Sequence, residues 1–464
     1  MSTRRSIPAS LERPRGALTN RMTQRSALVL TVFFLCATAP FCLAEPADEF
    51  PGLLLDDMRS ALEEGAGNRY TGDYFLGDWA GLRPLLASRG IKPRVLLITD
   101  PFGNVTGGQR QGFTTYSLLC VDLNLDMEKL ARLPGGEFDI GFALNTGNSL
   151  SKDDVGNSFP IQLADVAPVG PRLTYLSYTQ KFFDDKLSLR AGRLTINSVY
   201  SEEFAASQYF TAFSSVAFNL VPIGIFLNAP GAFGYPLTTW GARAKFEPNK
   251  SFYTMVGIYN GDPAVGNANR YGLDFTFKGP PFVIAEAGYR YTARIFSEAL
   301  PGNLKIGGYF NGGRTAEFGS SSTTGGIYGF YAIADQMLVR WGTPGEQRHL
   351  GIFAATVVAP DQRVSLMPFF FDAGVVAYGP LASRPKDFIA LGAAYGAYSS
   401  NLQSAQEANS TAVQNEEMTV ELSYGCRIAP GLTLQPALQY IVHPGGDRSV
   451  PNALAIGVNV TVSF

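Results

Sequence analysis

The last twelve residues read ALAIGVNVTVSF, and taken at every second position they separate into two faces. Leu454, Ile456, Val458, Val460, Val462 and Phe464 are apolar, and Ala455, Gly457, Asn459, Thr461 and Ser463 between them are small or polar. A period of two is the mark of a β-strand with chemically different sides. The same alternation recurs along the chain. MTVELSYGCRI sets Met418, Val420, Leu422 and Tyr424 against Thr419, Glu421 and Ser423. LTLQPALQYIV places Leu434, Leu438 and Tyr440 opposite Gln435, Ala437 and Gln439. Near the front, Leu119, Val121, Leu123 and Leu125 oppose Asp122, Asn124 and Asp126, and Phe138, Ile140, Phe142 and Leu144 oppose Asp139, Gly141 and Asn145. TWGARAKF sets Trp240, Ala242, Ala244 and Phe246 against Gly241, Arg243 and Lys245.

Alternation alone fits a soluble sandwich as well as a membrane barrel. Three features favour the barrel. The strands reach about 10 residues, enough to cross a bilayer at a tilt. Short turns alternate with long links, and the apolar faces end in aromatics such as Phe464, Tyr424 and Tyr440, as an interfacial girdle requires. Lipid also permits only a closed sheet, because an open edge leaves backbone groups unpaired. Composition agrees: charged residues are 16%, aromatics 12%, and 50 of the 464 residues are glycine, against roughly 25% charge in soluble domains. A net charge of −2 leaves no basic footprint for nucleic acid.

Arg25 followed by SALVLTVFFLCATAPFCLA has the basic start, apolar core and small final residue of an export signal. Cleavage is expected after Ala44, so 1–44 form the signal region, with Met22 as an alternative start. Pro40 argues against a retained membrane helix, and no later apolar run reaches about 20 residues. Residues 45–90 then form a periplasmic segment and 91–464 an outer-membrane barrel. Within GDWAGLRPLLASRGI, Asp78 is a fair N-cap and Gly90 a fair C-cap for a short helix at the periplasmic mouth, with Pro84 inside it.

About 17 strand-like segments can be counted. Even numbers are the rule, so the fold expected is an all-β, transmembrane antiparallel β-barrel of about 16 strands, with LKIGGYF (304–310) assigned to a loop. Short turns are expected near 128–135, 184–185, 247–250, 279–281, 343–347, 380–386 and 429–431. Long links are expected near 146–170, 195–236, 399–415 and 443–452.

The segment Gly77, Asp78, Trp79, Gly81, Leu82, Arg83, ending in Arg89, Gly90 and Ile91, resembles the opening of the carbohydrate-selective porin family of OprB type. FFDDKLSLRAGRL (182–194), GFYAIADQML (329–338), FFFDAGVV (369–376) and LQPALQYIVHPGG (434–446) are similar to the same family. The resemblance spans about residues 70–464. It implies a Gram-negative outer-membrane barrel with a narrowed pore that passes sugars, and no catalytic residues.

A porin works through the shape, polarity and field of its lining. Arg94, Asp122, Arg190, Arg193, Arg243, Glu286 and Arg290 are the expected pore-lining residues, able to bond sugar hydroxyls. The long link 195–236 is too apolar for a free surface loop. As a constriction loop it would offer Tyr200, Tyr209, Phe210 or Phe213 to a sugar ring. Phe464 is the expected assembly signal, read by the barrel-assembly machinery once the last strand closes against the first. Partners are thus small sugars, outer-membrane lipid and that machinery, with a homo-oligomer left open. The rival readings are a general or ion-selective porin and a barrel enzyme. The enzyme would need a serine beside His349 or His443, and neither lies in a triad setting. Cys120 and Cys426 are isolated and form no zinc-site pattern, and no cofactor is expected.

Overall fold

The computed structural model describes residues 74–464 except 198–202, 220, 230, 233, 262–270, 276 and 343–345. The signal region and most of the segment before the barrel therefore lie outside the described residues. Among those described, sixteen strands form one closed antiparallel barrel in which each pairs with its sequence neighbours and the last returns to the first. In order they are β1 (Ile91–Thr106), β2 (Gly112–Asp126), β3 (Gly136–Gly147), β4 (Gly170–Phe182), β5 (Leu187–Leu194), β6 (Thr239–Phe246), β7 (Phe252–Asn260) and β8 (Pro281–Ile295). There follow β9 (Glu298–Ala316), β10 (Thr323–Arg340), β11 (His349–Val358), β12 (Phe369–Tyr378), β13 (Phe388–Ala397), β14 (Glu416–Ala429), β15 (Leu432–Val442) and β16 (Ala453–Ser463). No described helix is long and apolar enough to cross a membrane.

The two faces of the wall are inverted relative to a soluble sandwich. Val121, Leu123, Phe142, Leu144, Leu422, Leu438, Tyr440 and Ile456 are exposed on the outside. Asp122, Asn124, Glu421, Gln435, Gln439, Asn459 and Thr461, from the alternate positions, are buried. Such a surface is stable only where the surroundings are apolar, since the wall offers its Leu, Val and Phe faces outward.

Closure occurs at the two ends of the described wall. Ser463 pairs with Leu96, and the Phe464 N–H donates to the Val95 carbonyl at 2.9 Å. The preceding helix, α1 (Leu82–Ser88), is held at this end. The Arg83 guanidinium donates to the Pro93 carbonyl at 3.0 Å and to a Phe464 oxygen, and the Phe75 and Phe464 rings meet edge-on at 6.4 Å. The helix is shorter than the sequence suggests. Its N-cap is Gly81, not Asp78, which puts Pro84 in the first turn, where a missing N–H costs nothing. Gly90 follows the Arg89 cap at φ 85°, the left-handed stop expected of it.

Two turn assignments change. LKIGGYF is not a loop: it lies inside β9, bonded to β8 on one side and β10 on the other. Only the parity of the strand count argues for a loop here, and the barrel closes at sixteen strands with this segment included. Gly307 faces inward beneath the Tyr331 ring, where a Cβ would overlap that ring. Residues 279–281 are not a tight turn either. They end a long link, 261–280, from β7 to β8. The tight turn is Phe296–Ser297 between β8 and β9, both at positive φ, the geometry a two-residue hairpin needs. Connections at the Phe464 end span between two and nine residues, and the long links all lie at the opposite end.

Candidate functional site

The link 195–238 between β5 and β6 enters the barrel and runs along the inner wall. Carboxylates on distant strands accept its backbone N–H groups. Glu286 of β8 takes the Ala205 N–H at 2.7 Å, and Glu421 of β14 takes those of Ser214 and Ser215, each at 2.7 Å. Asp335 of β10 accepts from the Ser207 hydroxyl at 2.6 Å. Gln435 and Gln439 of β15 donate to the Ala212 carbonyl and the Ser214 hydroxyl at 2.9 and 3.1 Å. The preceding link is tied in the same way: Glu417 accepts from the Ser158 and Phe159 N–H groups. These bonds satisfy backbone donors that would otherwise be buried unpaired.

Apolar contact supplies the rest. Phe204, Tyr209, Phe210, Phe213 and Phe218 of the link form one core with Tyr253, Tyr259, Phe282, Tyr309, Tyr331, Phe353 and Phe370 of the wall. Tyr209 seats over Gly351, where a Cβ would overlap its ring. Its ring also stacks with those of Phe353 and Tyr378. Tyr209, Phe210 and Phe213 are each 0% exposed, so they brace the loop and present no ring to a passing solute. Tyr200 lies outside the described residues.

The link packs against β7 to β15 and, through Tyr235 stacked on Tyr175 at 5.5 Å, also against β4. A polar stretch of lining remains on the inner faces of β1 to β6. There a cavity of about 190 Å³ is bordered by Arg94, Asp122, Asp139, Tyr175, Arg190 and Arg243, with Glu137 and Lys181 beside them. Arg94 and Asp122 are register partners on β1 and β2. Arg190 and Arg243 are register partners on β5 and β6. Both arginines converge on Glu203 of the link. Arg190 Nη1 donates to Glu203 Oε1 at 3.1 Å, and Arg243 Nε lies 3.3 Å from Glu203 Oε2. Arg190 Nη2 also bonds Asp139 at 3.2 Å, its Nε bonds Ser177 at 3.1 Å, and Arg243 Nη1 bonds Ser188 at 3.2 Å. The Tyr175 ring lies 5.3 Å from the Arg190 guanidinium. Every group here is a hydrogen-bonding partner of the kind a polyol can use.

Four of the seven charged residues expected in the lining therefore meet: Arg94, Asp122, Arg190 and Arg243. The other three are elsewhere. Glu286 is on the inner face but covered by the link, with Tyr253 and Tyr331 also donating to it. Arg290 pairs with Glu247 at 2.8 Å beside the short β6–β7 turn. Arg193 lies three residues from Arg190, so it shares the face of Leu189 and Ala191, both exposed. It is nevertheless 1% exposed, because residues 271–275 of the β7–β8 link fold over the outside of the wall. Its guanidinium donates to the Asp274 and Thr238 carbonyls at 2.9 and 2.7 Å. Trp240 Nε1 donates to the same Asp274 carbonyl, and the Trp240 ring packs on Phe275 and Phe277. The Leu173 N–H, on the part of β4 that extends past the end of β5, donates to the Tyr271 carbonyl at 2.9 Å. The segment thus covers a strand edge that the eight-residue β5 leaves bare.

Glu203 was not among the residues singled out from sequence. A signal for it exists: Glu202 and Glu203 are the only charged residues in 195–236. A carboxylate in so apolar a segment needs a partner.

Residues 110–464 match the family described as carbohydrate-selective porin, OprB family. The chain belongs to that family. It is 25% identical to Porin B of Pseudomonas aeruginosa over 429 residues, covering 84% of this chain and 91% of the relative. It is 22% identical to the putative porin QuiX of Acinetobacter baylyi, covering 84% and 93%. The high-pH structure of Pseudomonas putida OprB superposes with a TM-score of 0.77 at 23% identity, covering 85% of this chain and 99% of that one. That likeness supports the sixteen-strand barrel of this porin, and relatives named as porins are channels, not enzymes.

Proposed function

We propose that this porin lies in the outer membrane of a Gram-negative bacterium and lets mono- or small oligosaccharides diffuse through a constriction beside Arg190 and Arg243. The β1–β6 cavity carries this reading. It places guanidinium donors and carboxylate acceptors of the wall around one small space, and two of those guanidinium groups are held by Glu203 of the loop. A sugar entering it gives up bonds to water and gains bonds to fixed groups, at small net cost. An apolar solute of the same size receives no such replacement.

The short turns and Phe464 then face the periplasm, and the long links face outward. The same charges would also serve a general or ion-selective porin, and one measurement separates the readings. Purified protein is placed in planar bilayers and its single-channel conductance titrated with glucose and with a disaccharide. A sugar channel gives saturable block of the salt current. Salt current untouched by either sugar, beyond the effect of viscosity, leaves the general porin.

A further inference from the structure

We infer that Glu203, carried by the loop, sets this porin's preference for uncharged solutes by cancelling the charge of the Arg190–Arg243 pair; this rests on the sugar-channel reading above. The two arginines are directly opposed on neighbouring strands and face the lumen. Alone they would form a doubly positive spot, favourable to anions and unfavourable to each other. Glu203 answers both: Oε1 accepts from Arg190 Nη1 at 3.1 Å and from Arg243 Nη2 at 3.4 Å, and Oε2 faces Arg243 Nε at 3.3 Å. Asp139 balances the second cation through Arg190 Nη2.

The wider cavity is balanced in the same way. Its lining carries four cations, Arg94, Lys181, Arg190 and Arg243, and three carboxylates, Asp122, Glu137 and Asp139. Glu203, behind the two arginines, supplies the fourth, and Lys181 is paired to Glu137 at 2.8 Å. A lining with strong local dipoles and no net charge offers hydrogen bonds to a polyol. To an ion of either sign it offers no net opposite charge, so neither anion nor cation is favoured. The balancing carboxylate is on the loop and the arginines are on the wall, so neutrality holds only while the loop is seated.

The test uses full-length protein in planar bilayers under a KCl gradient at low ionic strength. A unit charge ~7 Å from a passing ion in water changes that ion's energy by about one RT, with opposite sign for anion and cation. Removing one charge should therefore change the anion-to-cation permeability ratio roughly sevenfold, fading near 1 M salt as the screening length falls to about 3 Å. Glu203→Gln should move the reversal potential toward anions and Arg243→Ala toward cations. The double variant, with its charges again balanced, should return close to wild type. A Glu203→Gln channel with the wild-type reversal potential overturns the inference, as does a double variant displaced as far as Glu203→Gln. If Glu203→Gln fails to fold, an Arg243→Ala channel with wild-type ion preference overturns it equally. Glucose block of the wild-type current is recorded in the same membranes. Its absence would refute the sugar reading while leaving the three reversal potentials to judge Glu203.

Discussion

Replacing Glu421 with alanine should release the loop from the wall without unfolding the barrel. Glu421 is fully buried on β14 and accepts the Ser214 and Ser215 N–H groups at 2.7 Å and the Ser214 and Ser423 hydroxyls at 3.0 Å. Alanine removes the acceptor for two backbone donors that water cannot reach. A hydrogen bond to a charged group contributes about 1.5–3 kcal/mol, so losing the two backbone bonds costs about 3–6 kcal/mol. The cost falls on the seated loop, because the Glu421 strand keeps its ladder to β13 and β15. Local opening should thus rise by roughly 10² to 10⁴. The readout is single-channel recording: a larger mean conductance with frequent steps between levels, weakened sugar block, and unchanged heat-modifiable migration of the folded barrel on gels. Glu421→Gln keeps one acceptor oxygen and should fall between the two. A Glu421→Ala channel as quiet as wild type, with the same conductance and sugar block, would refute the idea that wall carboxylates hold the loop.

Other expectations concern separate parts of the molecule. Arg190→Ala or Arg243→Ala should each weaken sugar block about tenfold, from loss of one or two hydrogen bonds at about 1 kcal/mol each; block titrations with glucose check this. Arg193→Ala should leave sugar block unchanged and loosen residues 271–275, since the Asp274 carbonyl loses the guanidinium; losing one hydrogen bond to a charged donor, about 1.5 kcal/mol, should quicken tryptic cleavage at Lys278 about tenfold, and equal cleavage rates would count against the latch. Phe464→Asp should sharply lower the yield of assembled barrel in cells. A carboxylate near the membrane interface costs only about 0–1 kcal/mol, so a large loss in cells with normal refolding in detergent would point to failed recognition by the assembly machinery, and normal yield would refute that role.

The period of two was enough to identify the strands, since side chains on a pleated strand must alternate wherever the two sides meet different surroundings. The same period puts Arg190 and Arg193, three apart on β5, on opposite sides, so the expectation that both line the pore fails for Arg193, which bonds the Asp274 and Thr238 carbonyls on the outer face. LKIGGYF carries the pattern too, and only an even strand count argues for a loop there; what sequence does not show is that the missing side chain of Gly307 makes room for the Tyr331 ring of the next strand. What period two cannot state is which face looks inward, because a sandwich and a barrel write the same alternation. Closure of β1 onto β16 decided that, by enclosing Asp122, Glu421 and Gln435 and leaving Leu422 and Val121 outside. Nor does a face assignment reveal what covers it. Glu286 and Asp122 both face inward, yet the loop bonds the one and leaves the other at the cavity. The Glu203 contacts join residues 13 and 40 positions apart, and those of Glu421 reach 207. Local propensity acts over a few residues, so bonds of that span exist only once the barrel has closed around the loop.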